Sequence, residues 1–136
     1  MDVRFRDLDP LGHVNNAVFL SYMELARIRY FQRISPDWLE EGHFVVARME
    51  VDYLRPIFLE DEVVVGARTL GIGRSSLRME HLITANGEPA AKGLGVLVWL
   101  EGGKPAPIPQ GVRGRIAELE GRPLSEVPPE GGSGGP

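Results

Sequence analysis

Asp9 and His13 stand four residues apart in the run Arg6-Asp7-Leu8-Asp9-Pro10-Leu11-Gly12-His13-Val14-Asn15-Asn16. A carboxylate held near an acyl carbon can attack it or activate a water. An imidazole beside it can act as base or touch a bound ligand. The same residue types have plain structural uses. An Asp before Pro and ahead of Gly is a natural Asx-turn acceptor, and a loop His can simply shape the loop. Asn15 and Asn16 are good caps for a helix that follows. Amides at a helix start carry partial positive charge and can polarise a carbonyl.

Other candidates are weaker. Glu24 falls two turns into the helical pattern, where it can pair with Arg27 at i,i+3 or serve as an active-site carboxylate. Arg55, Arg74, Arg78 and Lys92 are cations suited to phosphates of a cofactor-like substrate, or plain surface charges. His13, His43 and His81 lack a metal-ligand spacing, and no metal is expected. Gly71-Ile72-Gly73 joins two strand patterns and opens no helix, so it is no phosphate loop. Ser75 and Ser76 lie within a strand pattern without a nucleophile elbow.

The turn needs elements to hold it. From Ala17 to about Ile34, Phe19, Tyr22, Met23, Ala26 and Tyr30 recur at spacings of three and four. Val18, Leu20, Ile28 and Phe31 spread apolar character further round, which predicts an enclosed helix. Ser35-Pro36 is expected to end it. Val3-Arg4-Phe5-Arg6 alternates like a short strand. Strands are also predicted at Met49 to Leu54, Glu62 to Leu70, Arg74 to Thr84 and Ala90 to Leu100. Asn86-Gly87 signals a hairpin, Gly93 and Gly95 allow close packing, and short links suggest an antiparallel meander. Val112 to Leu119 reads as a short helix. The expected class is α+β, with the sheet wrapped around the helix and its open side closed by a second copy.

With 136 residues the chain suits one domain, expected over 1–120, with a flexible tail at 121–136. A net charge of -4 argues against nucleic acid. The absence of cysteine excludes disulfides and thiolate catalysis. No stretch approaches the ~20 apolar residues of a membrane helix, and nothing near Met1 resembles a signal peptide. The expectation is a cytoplasmic protein without a membrane partner. The Arg-rich, Pro-rich composition fits a thermophilic source.

Asp9-x-x-Gly12-His13-Val14-Asn15-Asn16-Ala17, followed by Leu20, Tyr22, Glu24 and Ala26-Arg27, resembles the hotdog-fold acyl-CoA thioesterases of the 4-hydroxybenzoyl-CoA thioesterase family. Val51-x-Tyr53-Leu54-Arg55-Pro56, Asp61-Glu62-Val63, Gly71-x-Gly73-Arg74-Ser75-Ser76 and Pro107-Ile108-Pro109 continue the likeness in register to about Arg113. Phe19 departs from it, standing where many members have Tyr. The resemblance implies a hotdog fold, a long central helix wrapped by a five-stranded antiparallel sheet. It implies an edge-to-edge homodimer, often a tetramer, cleaving acyl-CoA without a cofactor. By matching position it makes Asp9 the catalytic carboxylate and Asn16 the residue whose amide polarises the thioester. His13 and Asn15 would line the site. Another branch carries its carboxylate on the helix, near the place of Glu24. Arg55 and Arg74 are the expected substrate cations. A non-catalytic acyl-thioester binding protein is the main alternative. A hydratase and a structural oligomerisation module are lesser ones.

Overall fold

The computed structural model describes residues 1–34, 42–121 and 125–126. The element order is a 3-10 turn (Phe5–Asp7), α1 (Asn16–Ile34), β1 (His43–Tyr53), β2 (Val63–Ile72), β3 (Ser76–Ala85), β4 (Glu88–Glu101), β5 (Lys104–Pro105), α2 (Gln110–Glu120) and β6 (Ser125–Glu126). The expected helix end at Ser35-Pro36 lies outside the described residues. So does most of the expected tail, although Ser125 and Glu126 pair in parallel with Gly71 and Ile72 of β2.

The long strands lie in the order β1-β4-β3-β2, and β5 folds back onto the end of β4. Strands β2, β3 and β4 form a meander. The hairpin between β3 and β4 turns at Asn86 and Gly87, both left-handed with φ of 53° and 83°. Two expectations need correction. β1 does not continue the meander; it pairs with β4 along the opposite side from β3. Residues 54–62 therefore cross from one edge strand to the other, anchored by buried Ile57 and by the Leu54 N–H on the Ala90 carbonyl at 2.8 Å. Val3 to Arg6 is no strand either. Val3 is buried, but Phe5 is 80% exposed. The alternation has no sheet to face, and the Asp7 carboxylate takes the Arg4 N–H at 2.9 Å, closing a 3-10 turn instead.

The helix lies across one face of this sheet and bridges two core clusters. Near its start, Phe19, Tyr22 and Met23 pack with Val63, Ile83 and Ala91. Near its end, Tyr30, Phe31 and Ile34 pack with Leu77, Leu97 and Trp99, and α2 adds Val112 and Ile116. Gly93 is what lets α1 sit so close: a Cβ there would stand 2.6 Å from Met23 Sδ. The expected buried face is buried. The opposite flank is not, because Leu20 and Ile28 remain 43% and 42% exposed within the single chain. The architecture is the hotdog fold, a long helix wrapped by a sheet of five antiparallel strands, the fifth being β5 rather than the N-terminal segment, with the two-residue β6 added in parallel on β2.

Candidate active site

The residues before α1 form a small hairpin of their own. Leu8 and Val14 make an antiparallel bridge, and the Asp9 N–H donates to the His13 carbonyl at 2.7 Å. Its tip is a turn closed by the Gly12 N–H on the Asp9 carbonyl at 3.0 Å. Gly12 has φ of 83°, a left-handed conformation that glycine adopts without strain. Val14 and His13 dock this hairpin on the crossing segment: Val14 N–H donates to the Ile57 carbonyl at 2.8 Å, and His13 bridges Phe58.

Asp9 is half-buried in this hairpin. Its Oδ1 accepts the N–H groups of Leu11 at 2.9 Å and His13 at 3.2 Å. The Asx-turn geometry is therefore present. It ties down one carboxylate oxygen and leaves Oδ2 without a hydrogen bond among the described residues. A fixed carboxylate with one uncommitted oxygen can still act as nucleophile or base. The His13 ring stands edge-on to Phe58, with centroids 5.2 Å apart.

Asn15 is the cap of α1. Its Oδ1 accepts the Ala17 N–H at 2.8 Å and its carbonyl accepts the Val18 N–H at 2.9 Å. Asn16 is the first helical residue, so its N–H has no acceptor within the helix. Among the described residues the site thus offers an uncommitted carboxylate oxygen on one short hairpin and an uncommitted amide at the helix start that the hairpin leads into.

The structure separates the remaining candidates. Arg55 belongs to this end of the sheet. Its N–H meets the Ala90 carbonyl at 3.2 Å, and its guanidinium approaches Glu88 at 4.0 Å. Together with Phe58, Asp61 and Asn86 it lines a recess of about 270 Å³ beside the ring that touches His13. Arg74 lies in the turn between β2 and β3, at the far end of the sheet. The ten residues of β2 separate the two ends, roughly 30 Å at strand rise. Within one chain Arg74 does not join Asp9. Glu24 is exposed and stands about 12 Å along the helix from Asn16 at the helical rise. It borders a separate groove of about 540 Å³ between α1 and β1, with Leu20, Ile28, Phe44 and Met49.

Two buried polar groups escaped the sequence reading. Asp7 is buried, and Tyr22 Oη donates to its Oδ2 at 2.9 Å. Arg4 reaches its Oδ1 at 2.9 Å. Burial pushes this carboxyl's pKa up, but the bonds from Arg4 and Tyr22 outweigh it and hold the group below its usual range. Conversely, burial first and the Asp7 bond second raise the Tyr22 phenol well above its ordinary value. His81 is fully buried in β3, its Nδ1 3.3 Å from the Gly93 carbonyl and its Nε2 3.3 Å from Arg27 Nη1. The carbonyl needs a donor, so Nδ1 carries the proton and Nε2 accepts from Arg27. Burial, then the nearby guanidinium, lowers the His81 pKa to about 4. No local pattern marks either pair, because the partners lie 15 and 54 residues apart. Among the described residues no three His, Cys, Asp or Glu side chains form a metal-binding group.

Comparison with known proteins agrees with the fold. The sequence matches the thioesterase-like superfamily over residues 3–116. A thioesterase of Thermus thermophilus, crystallised with coenzyme A and Zn, is 86% identical, with a TM-score of 0.87 over 91% of this chain and 93% of that one. A predicted thioesterase of Bacillus stearothermophilus is 30% identical, with a TM-score of 0.81 over 93% and 95%. The chloroplastic acyl-acyl carrier protein thioesterase ATL3 of Arabidopsis thaliana is 29% identical over 126 residues, which are 88% of this chain. The chain spans only 66% of that plant protein's length. The chain belongs to the thioesterase-like superfamily and is a hotdog-fold thioester hydrolase.

Proposed function

We propose that the substrate is an acyl-CoA, hydrolysed to a free acid and CoA at the hairpin that carries Asp9. One observation carries this reading. Asp9 has one oxygen fixed by two backbone amides and the other uncommitted, in the hairpin that leads into α1. The Asn16 amide holds the thioester carbonyl oxygen and stabilises the charge that develops there. Asp9 takes a proton from the water that attacks the acyl carbon, or attacks that carbon itself and forms a mixed anhydride, which water then hydrolyses to the free acid and the regenerated carboxylate. The carbon–sulfur bond breaks and CoA leaves as the thiolate. A thiolate is a good enough leaving group to need no strong general acid. His13 and Asn15 line the site.

CoA as the carrier is supported by the Thermus thermophilus protein, which was crystallised with it. Arg55 beside Phe58 is a cation at this end of the sheet suited to a CoA phosphate. The functional unit is a homodimer, assembled further into a tetramer. Supporting this, β1 has a partner strand only on its β4 side among the described residues, and Leu20, Ile28 and Val46 beside that free edge are exposed. A paired edge and a covered helix flank would satisfy both features.

Turnover of a panel of acyl-CoAs by wild type and Asp9→Ala tests the assignment. Loss of a positioned base or nucleophile should lower kcat by about 10² to 10⁴. Undiminished hydrolysis would remove Asp9 from the chemistry. The Asx-turn bonds of Asp9 favour one rival, a binding protein in which the carboxylate only shapes the loop. That rival predicts tight CoA-ester binding with no turnover by wild type.

A further inference from the structure

We infer that Asp7, clasped by Tyr22 and Arg4, is the positioning residue that sets where the Asp9 carboxylate stands relative to the start of α1. The inference rests on the proposed role of Asp9 and adds the group that aims it.

Asp7 joins three pieces of chain. Its Oδ2 accepts from Tyr22 Oη, which lies in the second turn of α1, and from the Arg4 N–H, each at 2.9 Å. Its main-chain carbonyl accepts the Asn15 N–H at 2.9 Å. The first contact ties residue 7 to the body of the helix, and the last ties it to the helix cap. The hairpin of residues 8–14 is thereby closed at its base, with both ends referred to the same helix. Asp9 stands two residues beyond that base, so the placement of its carboxylate follows the placement of Asp7. The Asx-turn bonds fix Asp9 only within the hairpin. The Asp7 clasp fixes the hairpin on the helix whose first amide is the other half of the site.

The clasp is built to stay put. Asp7 and Tyr22 are both buried, and Tyr22 sits in the core cluster with Val14 and Phe19. Beyond closing the 3-10 turn, the Asp7 carboxylate meets only Arg4 and Tyr22 among the described residues. Catalysis is sensitive to such aim, since a shift on the order of 1 Å can cost about a hundredfold in rate.

The test is a double-mutant cycle on acyl-CoA hydrolysis with wild type, Tyr22→Phe, Asp9→Ala and the double variant. Phe keeps the ring and removes one hydrogen bond. Expected are a loss of about tenfold in kcat for Tyr22→Phe, part of the hundredfold that misplacement can reach, and a KM within about twofold of wild type. In the Asp9→Ala background, adding Tyr22→Phe should change nothing further, because the aimed group is already gone. A wild-type kcat for Tyr22→Phe, or the same factor lost in both backgrounds, overturns the inference. A full rate for Asp9→Ala alone sinks the role of Asp9 and the inference with it. An inactive Asp9→Ala beside a normal Tyr22→Phe sinks only the inference. Should Tyr22→Phe fail to fold, Arg4→Met loosens the same carboxylate from its solvent side and carries the same expected and overturning results.

Discussion

Two tyrosines on the same helix hold carboxylates, and they do different work. Tyr22 donates to Asp7 at 2.9 Å, and Tyr30 donates to Glu120 at 2.5 Å. Tyr30 Oη also meets Thr69 Oγ1 at 2.7 Å, and the Thr69 N–H reaches the same Glu120 oxygen at 2.9 Å. Both phenols are raised above their ordinary pKa by burial first and by the carboxylate next. The chemistry is alike; the chain context is not. Asp7 is 15 residues before its tyrosine and leads directly into the Asp9 hairpin. Glu120 is 90 residues after its tyrosine and ends α2, locking that helix against α1 and β2. In the role proposed for Asp9, the first clasp aims the turn that carries the chemistry, while the second closes the fold. The same bond has functional weight only where the next residues carry chemistry.

The largest expected effect comes from removing the carboxylates. Asp7→Ala leaves a buried Tyr22 hydroxyl without its acceptor and Arg4 without its partner. Arg4 is more than half exposed and is rehydrated, so the cost should be about 2 to 3 kcal/mol, that of the buried Tyr22 hydroxyl left unsatisfied. Glu120 is only half-buried, so Glu120→Ala should cost less, about 1 to 2 kcal/mol for the Tyr30 and Thr69 groups left unsatisfied. Urea denaturation of the two variants ranks them. A more damaging Glu120→Ala would break the comparison, since the long-range clasp would then dominate stability.

Between the clasps a third contact, Arg27 on His81, responds to acid in its own window. The unfolded chain protonates this His at its ordinary value of 6.5, but the folded one resists protonation until about 4. As pH falls between those values the unfolded state binds more protons, so stability falls. The full effect is on the order of 3 kcal/mol, and it is absent above the upper value. Groups facing the ring are the Arg27 guanidinium and the Gly93 carbonyl, with the Glu80 charge nearby. The Asp7 clasp has a depressed carboxyl, so its contribution is lost only at lower pH, as the folded carboxyl protonates. His81→Asn should flatten the upper window in a pH series of thermal unfolding and leave the lower one. An unchanged slope between pH 4 and 6.5 would remove His81 as its source.

How much of this was readable depended on distance along the chain. The buried face of α1 and the Asn86-Gly87 hairpin followed from local periodicity and turn chemistry, and both stand. Asp9 showed both of its readings in the sequence, and the structure has the Asx turn while leaving one oxygen uncommitted. The start of β1 was missed because a bulge between Val46 and Arg48 breaks the alternation that marks a strand. Val3 to Arg6 misled in the opposite way, alternating without a sheet to face. The place of β1 beside β4 was hidden because short links favour sequential neighbours, and here the chain crosses over instead. Asp7, His81 and Glu120 were opaque because their meaning lies in partners on other elements. A carboxylate at residue 7, at the start of a loop, looks like any solvated charge until the fold brings Tyr22 over it.

The smallest expected change separates the two clasps most cleanly. Tyr22→Phe and Tyr30→Phe each delete one hydroxyl and keep the ring in its cluster. Each should cost about 1 to 3 kcal/mol, because a carboxylate oxygen, buried in Asp7 and half-buried in Glu120, loses one donor in both. Their stabilities should therefore nearly coincide in thermal unfolding. Their kinetics should not. Tyr30 packs with Phe31, Ile72 and Leu77 at the far end of α1, away from the hairpin of residues 8–14. Tyr30→Phe should hydrolyse acyl-CoA with wild-type kcat and KM at a temperature well below its midpoint. An equal kcat loss in both variants would mean that loosening α1 anywhere disturbs the site, and the aiming role of the first clasp would reduce to general rigidity. A loss confined to Tyr22→Phe, at matched stability, assigns the effect to the residue that precedes the Asp9 turn.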